Sequence, residues 1–524
     1  MTDSKENSAR KEAKKLNILL LAFRSFFMHD RWGGEDSKFN LPLPILKAYA
    51  EVSDEIRTAC KIEYQVHPLD AEEELLMETI YRYNPDVIGF SVFVWNLEKS
   101  VQTARKVKYV RPDVKVIFGG PEVDDAQYLL ERYSCIDFIA LGEGEQTFRE
   151  FLSWFLEGKP SVEEIRGLAY RRDGEIVINP PRQDIQDLNT VPSVFSPERI
   201  SGNSVVYYET ARGCRCGCRY CREGVPRKRY YPLDRVERDL SIILAQPGIK
   251  VLNFIDTVMD DDAERAKEIF RIVAKHNRNG IACGGYFYFM DTDDEFFELM
   301  LKANFRFART GVESTAPTVL KEVGRTPGNV SNINAALPYR RQIQLTPYII
   351  MFLPKDTPET FRQTIRDCYE LGYFFLDFHC TRLRIYPGTD LYRHADKYGY
   401  VFDREPPHFV YSTNTFSYAD FVRARHLVAN LMILCRIFCE EDVPVLKAHG
   451  FDLFDAAEKI HGAVPEWRKC YCHTSEDVIT EVDFTAGAYS LLGDYAAQIV
   501  TDKNALREIR ELITRRSDTS ARNS

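Results

Sequence analysis

The densest chemistry in the 524-residue chain lies in Glu209-Thr210-Ala211-Arg212-Gly213-Cys214-Arg215-Cys216-Gly217-Cys218-Arg219-Tyr220-Cys221, where four of the thirteen cysteines fall within eight residues. Cys214, Cys218 and Cys221 form CxxxCxxC, a spacing that lets one loop wrap three corners of a 4Fe-4S cube and leaves the fourth iron without a protein thiolate. An open iron can bind substrate. Zinc takes two separated ligand pairs that close a tetrahedron, and no equally convincing second pair follows at that spacing. Inert thiols sit in apolar surroundings, whereas these stand among Arg and Gly residues. Zinc and inert thiols stay open as alternatives. Cys216 falls outside the triad and is expected to point away from the cluster, unless it substitutes for a neighbour.

Such a loop needs a scaffold, and the surrounding sequence supplies an α/β one. From Ser204 to about residue 407, strand-like runs alternate with amphipathic helical stretches: SVVYYET, VLNFID, GGYFYFM, FARTGVE, LTPYIIMF and TRLRIYP head about six strand-helix units. Six units fit a partial (β/α)6 barrel over residues 204–407, with the cysteines on the loop after its first strand. Residues 16–157 show a similar rhythm, beginning with the buried-strand pattern NILLLAF and continuing through DVIGFSV, KVIFGG and DFIALG. This predicts a Rossmann-like, doubly wound parallel sheet, with ligands beyond the carboxyl ends of its strands. Residues 158–203 read as a linker with turn-rich hairpin candidates such as YRRDGEIVI. Residues 408–515 read as a C-terminal helical domain, while 1–15 and 516–524 are polar ends expected to be disordered.

Composition excludes several classes. With 69 Lys plus Arg against 78 Asp plus Glu, the net charge of -9 argues against a phosphate-gripping nucleic-acid surface. Gly224-Val225-Pro226-Arg227-Lys228-Arg229-Tyr230-Tyr231 interleaves bases with aromatics and suits an anionic substrate or a solvated loop better than RNA. Thirteen cysteines in this length are too dilute for a disulfide scaffold. No apolar run approaches the roughly 18 to 20 residues of a membrane span, and no export signal opens the chain, so a reducing cytoplasm is expected.

At Cys214, Cys218, Tyr220 and Cys221 the chain resembles the radical S-adenosylmethionine (SAM) superfamily, whose signature is CxxxCx-aromatic-C after the first barrel strand. The resemblance implies that SAM chelates the open iron and that an electron from the reduced cluster cleaves a carbon-sulfur bond. It places SAM contacts at Tyr220 and at later strand ends, onto which Asp256, Thr257, Glu313 and Arg384 map. The ammonium and ribose diol of SAM want a carboxylate or hydroxyl, and its carboxylate wants a guanidinium. Local hydrogen bonding at strand ends is the alternative for each.

The order of an N-terminal doubly wound domain followed by the barrel is similar to the cobalamin-binding-domain class of that superfamily. Ser91, Gly119, Gly120, Gly142 and Gly144 would then let backbone approach the corrin and its nucleotide tail; otherwise these glycines make ordinary turns. The DxHxxG pattern that supplies a cobalt-binding histidine is absent, since Met28-His29-Asp30-Arg31-Trp32-Gly33-Gly34 has the wrong order. A loop role for His29 is the better expectation.

The function implied is cobalamin-dependent methyl transfer to an unactivated carbon of a small metabolite or peptide, with one SAM methylating cobalt and another yielding a 5'-deoxyadenosyl radical. A flavodoxin or ferredoxin would supply electrons. Two other readings stay open. One is transfer of the 3-amino-3-carboxypropyl group of SAM to a thiol or arsenite, for which Cys470 and Cys472 could serve as substrate thiols because thiolates prefer soft partners, although structural or incidental cysteines are the preferred reading of that pair. The other is a non-catalytic iron-sulfur or cobalamin sensor. Cys435 and Cys439, at helical spacing, read as core residues.

Overall fold

The computed structural model describes residues 15–24, 39–223, 228–325, 329–459, 493, 496–497 and 500–523. The chain divides into two compact units, residues 1–207 with 231–250, and residues 208–230 with 251–524.

The first unit is built on seven strands: β1 (Leu16–Arg24), β2 (Cys60–Pro68), β3 (Val87–Ser91), β4 (Lys115–Gly119), β5 (Phe138–Ala140), β6 (Leu168–Arg172) and β7 (Glu175–Ile178), in the order β2-β1-β3-β4-β5-β6-β7. The first five pair in parallel and the last two are antiparallel. β1 shows why the sheet needs cover on both faces. Its Leu19, Leu21 and Phe23 enter one core, with Val101, Ala104 and Val107 of the helix Leu97–Val110, while Ile18, Leu20 and Ala22 enter another, with Phe148, Phe151 and Leu152 of the helix Gly144–Glu157. The strand order reverses between β1 and β3, so the ligand crevice of this sheet opens beyond their carboxyl ends.

Three expectations change here. Residues 158–203 are more than a linker, because β6 and β7 extend the sheet at its β5 edge. Residues 231–250, read as part of the barrel, group with the first unit; within it Arg235 donates to the carbonyls of Leu188 and Val191, and Ser193 Oγ donates to Asp239 at 2.6 Å. The tail is helical rather than disordered: a helix runs from Lys503 to Asn523, through most of residues 516–524. Its Ala, Leu, Arg and Glu residues favour helix even where charge is high.

Gly120 illustrates how tightly the end of β4 is made. Its φ is 110°, and a Cβ there would lie 2.6 Å from the carbonyl oxygen of Val92. Gly120→Ala should therefore lower stability in chemical denaturation by strain of ~1–3 kcal/mol plus overpacking of ~1–3 kcal/mol. Gly174→Ala, at a φ of 88° with nothing within 4 Å, meets strain alone, ~1–2 kcal/mol.

The second sheet holds six strands. β8 (Val205–Tyr208) is where the chain passes from one unit to the other; after the short antiparallel pair β9 (Ala211–Arg212) and β10 (Arg229–Tyr230) come β11 (Val251–Phe254), β12 (Ala282–Tyr286), β13 (Phe305–Glu313), β14 (Gln344–Met351) and β15 (His379–Arg382). The order β15-β14-β13-β12-β11-β8 follows the sequence without a reversal, and β11 to β15 pair in parallel. This is the partial (β/α)6 arrangement. Ile349, Met351 and Cys380 pack against Phe361 and Ile365 of the helix Pro358–Glu370 and against Val428, Leu431 and Leu434 of the helix Tyr418–Ile437. Cys435 lies in that core, but Cys439 follows the helix end and takes part in a capping box with Asp442, so it caps rather than packs. Among the described residues no helix is long and apolar enough to cross a membrane.

Candidate active site

The cysteine loop leaves β8 at Glu209 and is pinned at both ends. Thr210 donates from its backbone N–H and its hydroxyl to the buried carboxylate of Asp256, just beyond β11, at 2.7 to 3.2 Å. β9 then pairs with β10 and closes the base of the loop. Cys214 and Cys218 are buried, Cys216 and Cys221 half-buried, and none is in a disulfide. Cys214 packs on Val258 and Tyr288 while its Sγ accepts the Cys216 N–H at 3.3 Å. Against expectation, the Cys216 side chain does not point away: it packs on the same residues and its thiol is hydrogen-bonded to that of Cys214. Among the described residues no three His, Cys, Asp or Glu side chains stand close enough to enclose a single ion. An iron-sulfur cube is larger than an ion, and an all-thiol donor set on one loop suits it.

The far side of the loop rests on residues 322–325. The Arg219 N–H donates to the Val323 carbonyl at 3.1 Å, and the Arg219 guanidinium reaches Asp390 and Glu322. Gly324, at a φ of 76°, lies so close that a Cβ would stand 2.8 Å from the Gly217 carbonyl oxygen. Arg325 completes the bracket. Its Nε donates to the Tyr220 hydroxyl at 3.2 Å, its Nη2 to Glu313 Oε1 at 2.7 Å and its Nη1 to the Gly311 carbonyl at 3.2 Å, and the guanidinium lies 4.8 Å from the Tyr288 ring centroid.

Glu313 is the most telling acceptor of the site. It ends β13 with a φ of 65°, a left-handed conformation that a glutamate holds only when its surroundings enforce it. Oε1 accepts from the Tyr220 hydroxyl at 3.0 Å and from Arg325, but Oε2 is buried with no hydrogen-bond partner. A buried carboxylate oxygen without a donor is costly, and burial pushes this carboxyl's pKa up despite the nearby guanidinium. The missing donor fits an ammonium or a ribose diol. The structure thus brings together Tyr220 and Glu313, placed from sequence on separate segments.

The other candidates differ. Both oxygens of Asp256 are engaged by Thr210, so it anchors the loop instead of presenting a vacant carboxylate. Thr257 is half-buried in the following turn. Arg384 lies beyond β15, two strands away from β13, with its guanidinium 4.9 Å from the Phe409 ring centroid. Cys470, Cys472 and His29, with Gly224 to Arg227, lie outside the described residues. Sequence reading misses Arg219, Arg325 and Asp260. The buried carboxylate of Asp260 accepts the N–H groups of Tyr288 and Phe289, holding the Tyr288 ring beneath Arg325.

Burial raises the Asp260 pKa to about 7, far above its value in an unfolded chain. The folded state therefore holds this proton more tightly, so its contribution to stability is full below the unfolded pKa and is lost as pH rises through about 7. Asp256, raised to about 6, acts in the same direction. Asp260→Asn is expected to flatten the fall in melting temperature between pH 4 and pH 7 (roughly the window between the two states' values), as followed by circular dichroism.

In the first unit, Ser91, Gly119 and Ala140 are register partners at the ends of three adjacent strands. This forms a shelf of small residues. A Cβ on Gly119 would make only ordinary contacts, and Gly142, at a φ of 72°, has nothing within 4 Å. Gly144 opens the helix after β5, where a Cβ would touch only Leu46. These positions fit the approach of a broad flat ligand. Gly120 has a different reason to be glycine, its contact with Val92.

Comparison with known proteins agrees with both regions. Residues 50–152 match the B12 binding domain family and residues 208–368 match the radical SAM superfamily. The chain is 26% identical over 332 residues to the uncharacterized methyltransferase PH0819 of Pyrococcus horikoshii, covering 61% of this chain and 71% of that protein. It is 30% identical over 191 residues to the cobalamin-dependent radical SAM methyltransferase TokK of Streptomyces tokunonensis, covering 34% of this chain but only 28% of TokK. The fold matches that of TsrM from Kitasatospora setae with cobalamin and a 4Fe-4S cluster bound, at a TM-score of 0.60 and 16% identity, over 97% of this chain and all of that one. The two family matches imply a 4Fe-4S cluster with SAM for the second unit and cobalamin for the first. With a CxxxCxxC loop after the first strand of a partial barrel and a B12 binding domain match ahead of it, the chain joins a radical SAM domain to a B12 binding domain, the composition of the cobalamin-binding-domain class of the radical SAM superfamily.

Proposed function

We propose that this enzyme transfers a methyl group from SAM, by way of cobalamin, to an unactivated carbon of a small metabolite or peptide. The observation that carries the reading is the union in one chain of the B12 binding domain at residues 50–152 with the cysteine loop at 214–221. The names of PH0819 and TokK, both methyltransferases, support it. When bound, the cluster supplies an electron for SAM cleavage and cobalamin a carrier for the methyl group.

The chain's own residues bind and orient. Cys214, Cys218 and Cys221 would hold the 4Fe-4S cluster, and the bracket at residues 322–325 fixes their loop. Glu313 Oε2 accepts from the ribose or ammonium of SAM, and Tyr220 helps to aim it. Ser91, Gly119, Gly142 and Gly144 leave room for the corrin and its tail. Arg384 and Thr257 are secondary SAM contacts. A flavodoxin- or ferredoxin-type protein supplies electrons.

Anaerobically reconstituted protein given SAM and dithionite should yield 5'-deoxyadenosine and, with its substrate, S-adenosylhomocysteine. Methylthioadenosine would point instead to carboxypropyl transfer, and no SAM-derived product to a sensor. Either outcome contradicts the proposal.

A further inference from the structure

The face of the second sheet opposite its helices carries polar groups that cluster and SAM binding leave unexplained. Parallel register partners share a face, so Asn253 with Gly284, Gly284 with Phe307, Tyr286 with Arg309, Arg309 with Thr346, and Tyr348 with His379 all lie on one side. The other side carries Ile349, Met351 and Cys380 into the helical core. The polar face is therefore the interior of the partial barrel.

At its centre stands Arg309. Its Nη1 donates to Asn253 Oδ1 at 3.3 Å, and its guanidinium lies 5.3 Å from the Tyr286 ring centroid and 5.8 Å from that of Phe307. Among the described residues it forms no ion pair. The two rings and the amide hold the guanidinium plane in place, and ring faces ease the partial desolvation of a cation. The side chain is half-buried, and no nitrogen of it is a buried orphan, so the donors not used by Asn253 remain accessible. A fixed planar fork with open donors and no carboxylate is a receptor for a carboxylate or phosphoryl group. Two strands along the same face, His379 adds a second recognition point: its Nε2 is buried without a hydrogen-bond partner, 3.5 Å from Asp377 Oδ1, with the ring edge-on to Tyr348.

We propose that the substrate of this enzyme is anionic and that Arg309 binds its carboxylate or phosphoryl group inside the barrel, with Asn253 and Tyr286 holding the guanidinium. This inference rests on the reading of the barrel as the site of a SAM-dependent reaction, and its test is separable from that reading.

The probe is radiolabelled inorganic phosphate in equilibrium dialysis against the full chain at low ionic strength, with succinate as the carboxylate competitor. Wild type is expected to bind one phosphate more than Arg309→Gln, or to bind it at least tenfold more tightly. Arg309→Lys, a charge without the fork, should fall between them, and Arg306→Gln, at an exposed position of the same strand, should match wild type. Whichever of succinate and phosphate binds more tightly at the lost site names the head group. Equal binding by wild type and Arg309→Gln, or no binding by wild type, overturns the proposal. Should Arg309→Gln fail to fold, Arg309→Lys with wild-type affinity overturns it equally. 5'-Deoxyadenosine formation in the same preparations reports on SAM cleavage, so loss of one reading leaves the other measurable.

Discussion

Alanine at Cys214, Cys218 or Cys221 is expected to remove iron and sulfide from the anaerobically reconstituted protein and to reduce SAM cleavage to background, whereas Cys216→Ala keeps both. The difference follows from geometry and ligand chemistry. A cube held by three thiolates loses a full corner with any one of them. Cys216 stands outside the CxxxCxxC triad; its N–H on Cys214 Sγ survives in alanine, and only its thiol contacts with Cys214 and Tyr288 are lost. Iron and sulfide analysis with visible absorbance measures the outcome. Retention of a full cluster by any variant of the triad would defeat the ligand assignment, and loss of the cluster in Cys216→Ala would reassign it.

Arg325→Met is expected to damage the site through a different route. Arg325 and Glu313 are an ion pair with side chains 8% and 7% exposed, so removing the cation leaves a buried carboxylate uncompensated. Breaking such a pair costs ~3–5 kcal/mol, and the carboxyl would respond by taking up a proton. A protonated or turned Glu313 can no longer accept from a SAM ammonium as a charged group, a contact of ~1.5–3 kcal/mol, which corresponds to roughly tenfold to a hundredfold weaker SAM binding. Calorimetric titration with S-adenosylhomocysteine and a denaturant midpoint separate the two effects. The double variant Arg325→Met/Glu313→Leu should regain much of the lost stability, because apolar groups of similar volume replace buried pairs at little cost, but none of the ligand affinity. Full affinity in the double variant would show that Glu313 serves only the fold.

The cluster loop is legible in the sequence because metal ligation forces residue type and spacing onto one short segment. The parallel sheets are legible for a related reason: strands buried on both faces read as apolar runs, as LNILLLAF does. Partners distant in sequence are not. Arg325 meets Tyr220 across 105 residues, and an arginine after a glycine in a polar turn carries no signal of its own among 69 basic residues. Asp256 shows the converse failure. A strand-end acid has the chemistry of a ligand, but Thr210, 46 residues earlier, occupies both of its oxygens. The hairpin β6–β7 reads as a linker because its turn residues dominate its short strands, and only pairing with β5 makes it part of a sheet. At Gly119 and Gly120, adjacent glycines look equivalent in sequence, yet only the second would collide with Val92.

The central claim is that three cysteines leave one iron of the cube open to SAM. Electron paramagnetic resonance of the reduced cluster, recorded before and after SAM is added, tests it most directly. The account predicts one 4Fe-4S signal per chain that shifts when SAM binds and that stays unshifted in Glu313→Leu at the same SAM concentration. A wild-type spectrum that SAM leaves unchanged, or metal analysis that finds zinc in place of iron, would contradict it.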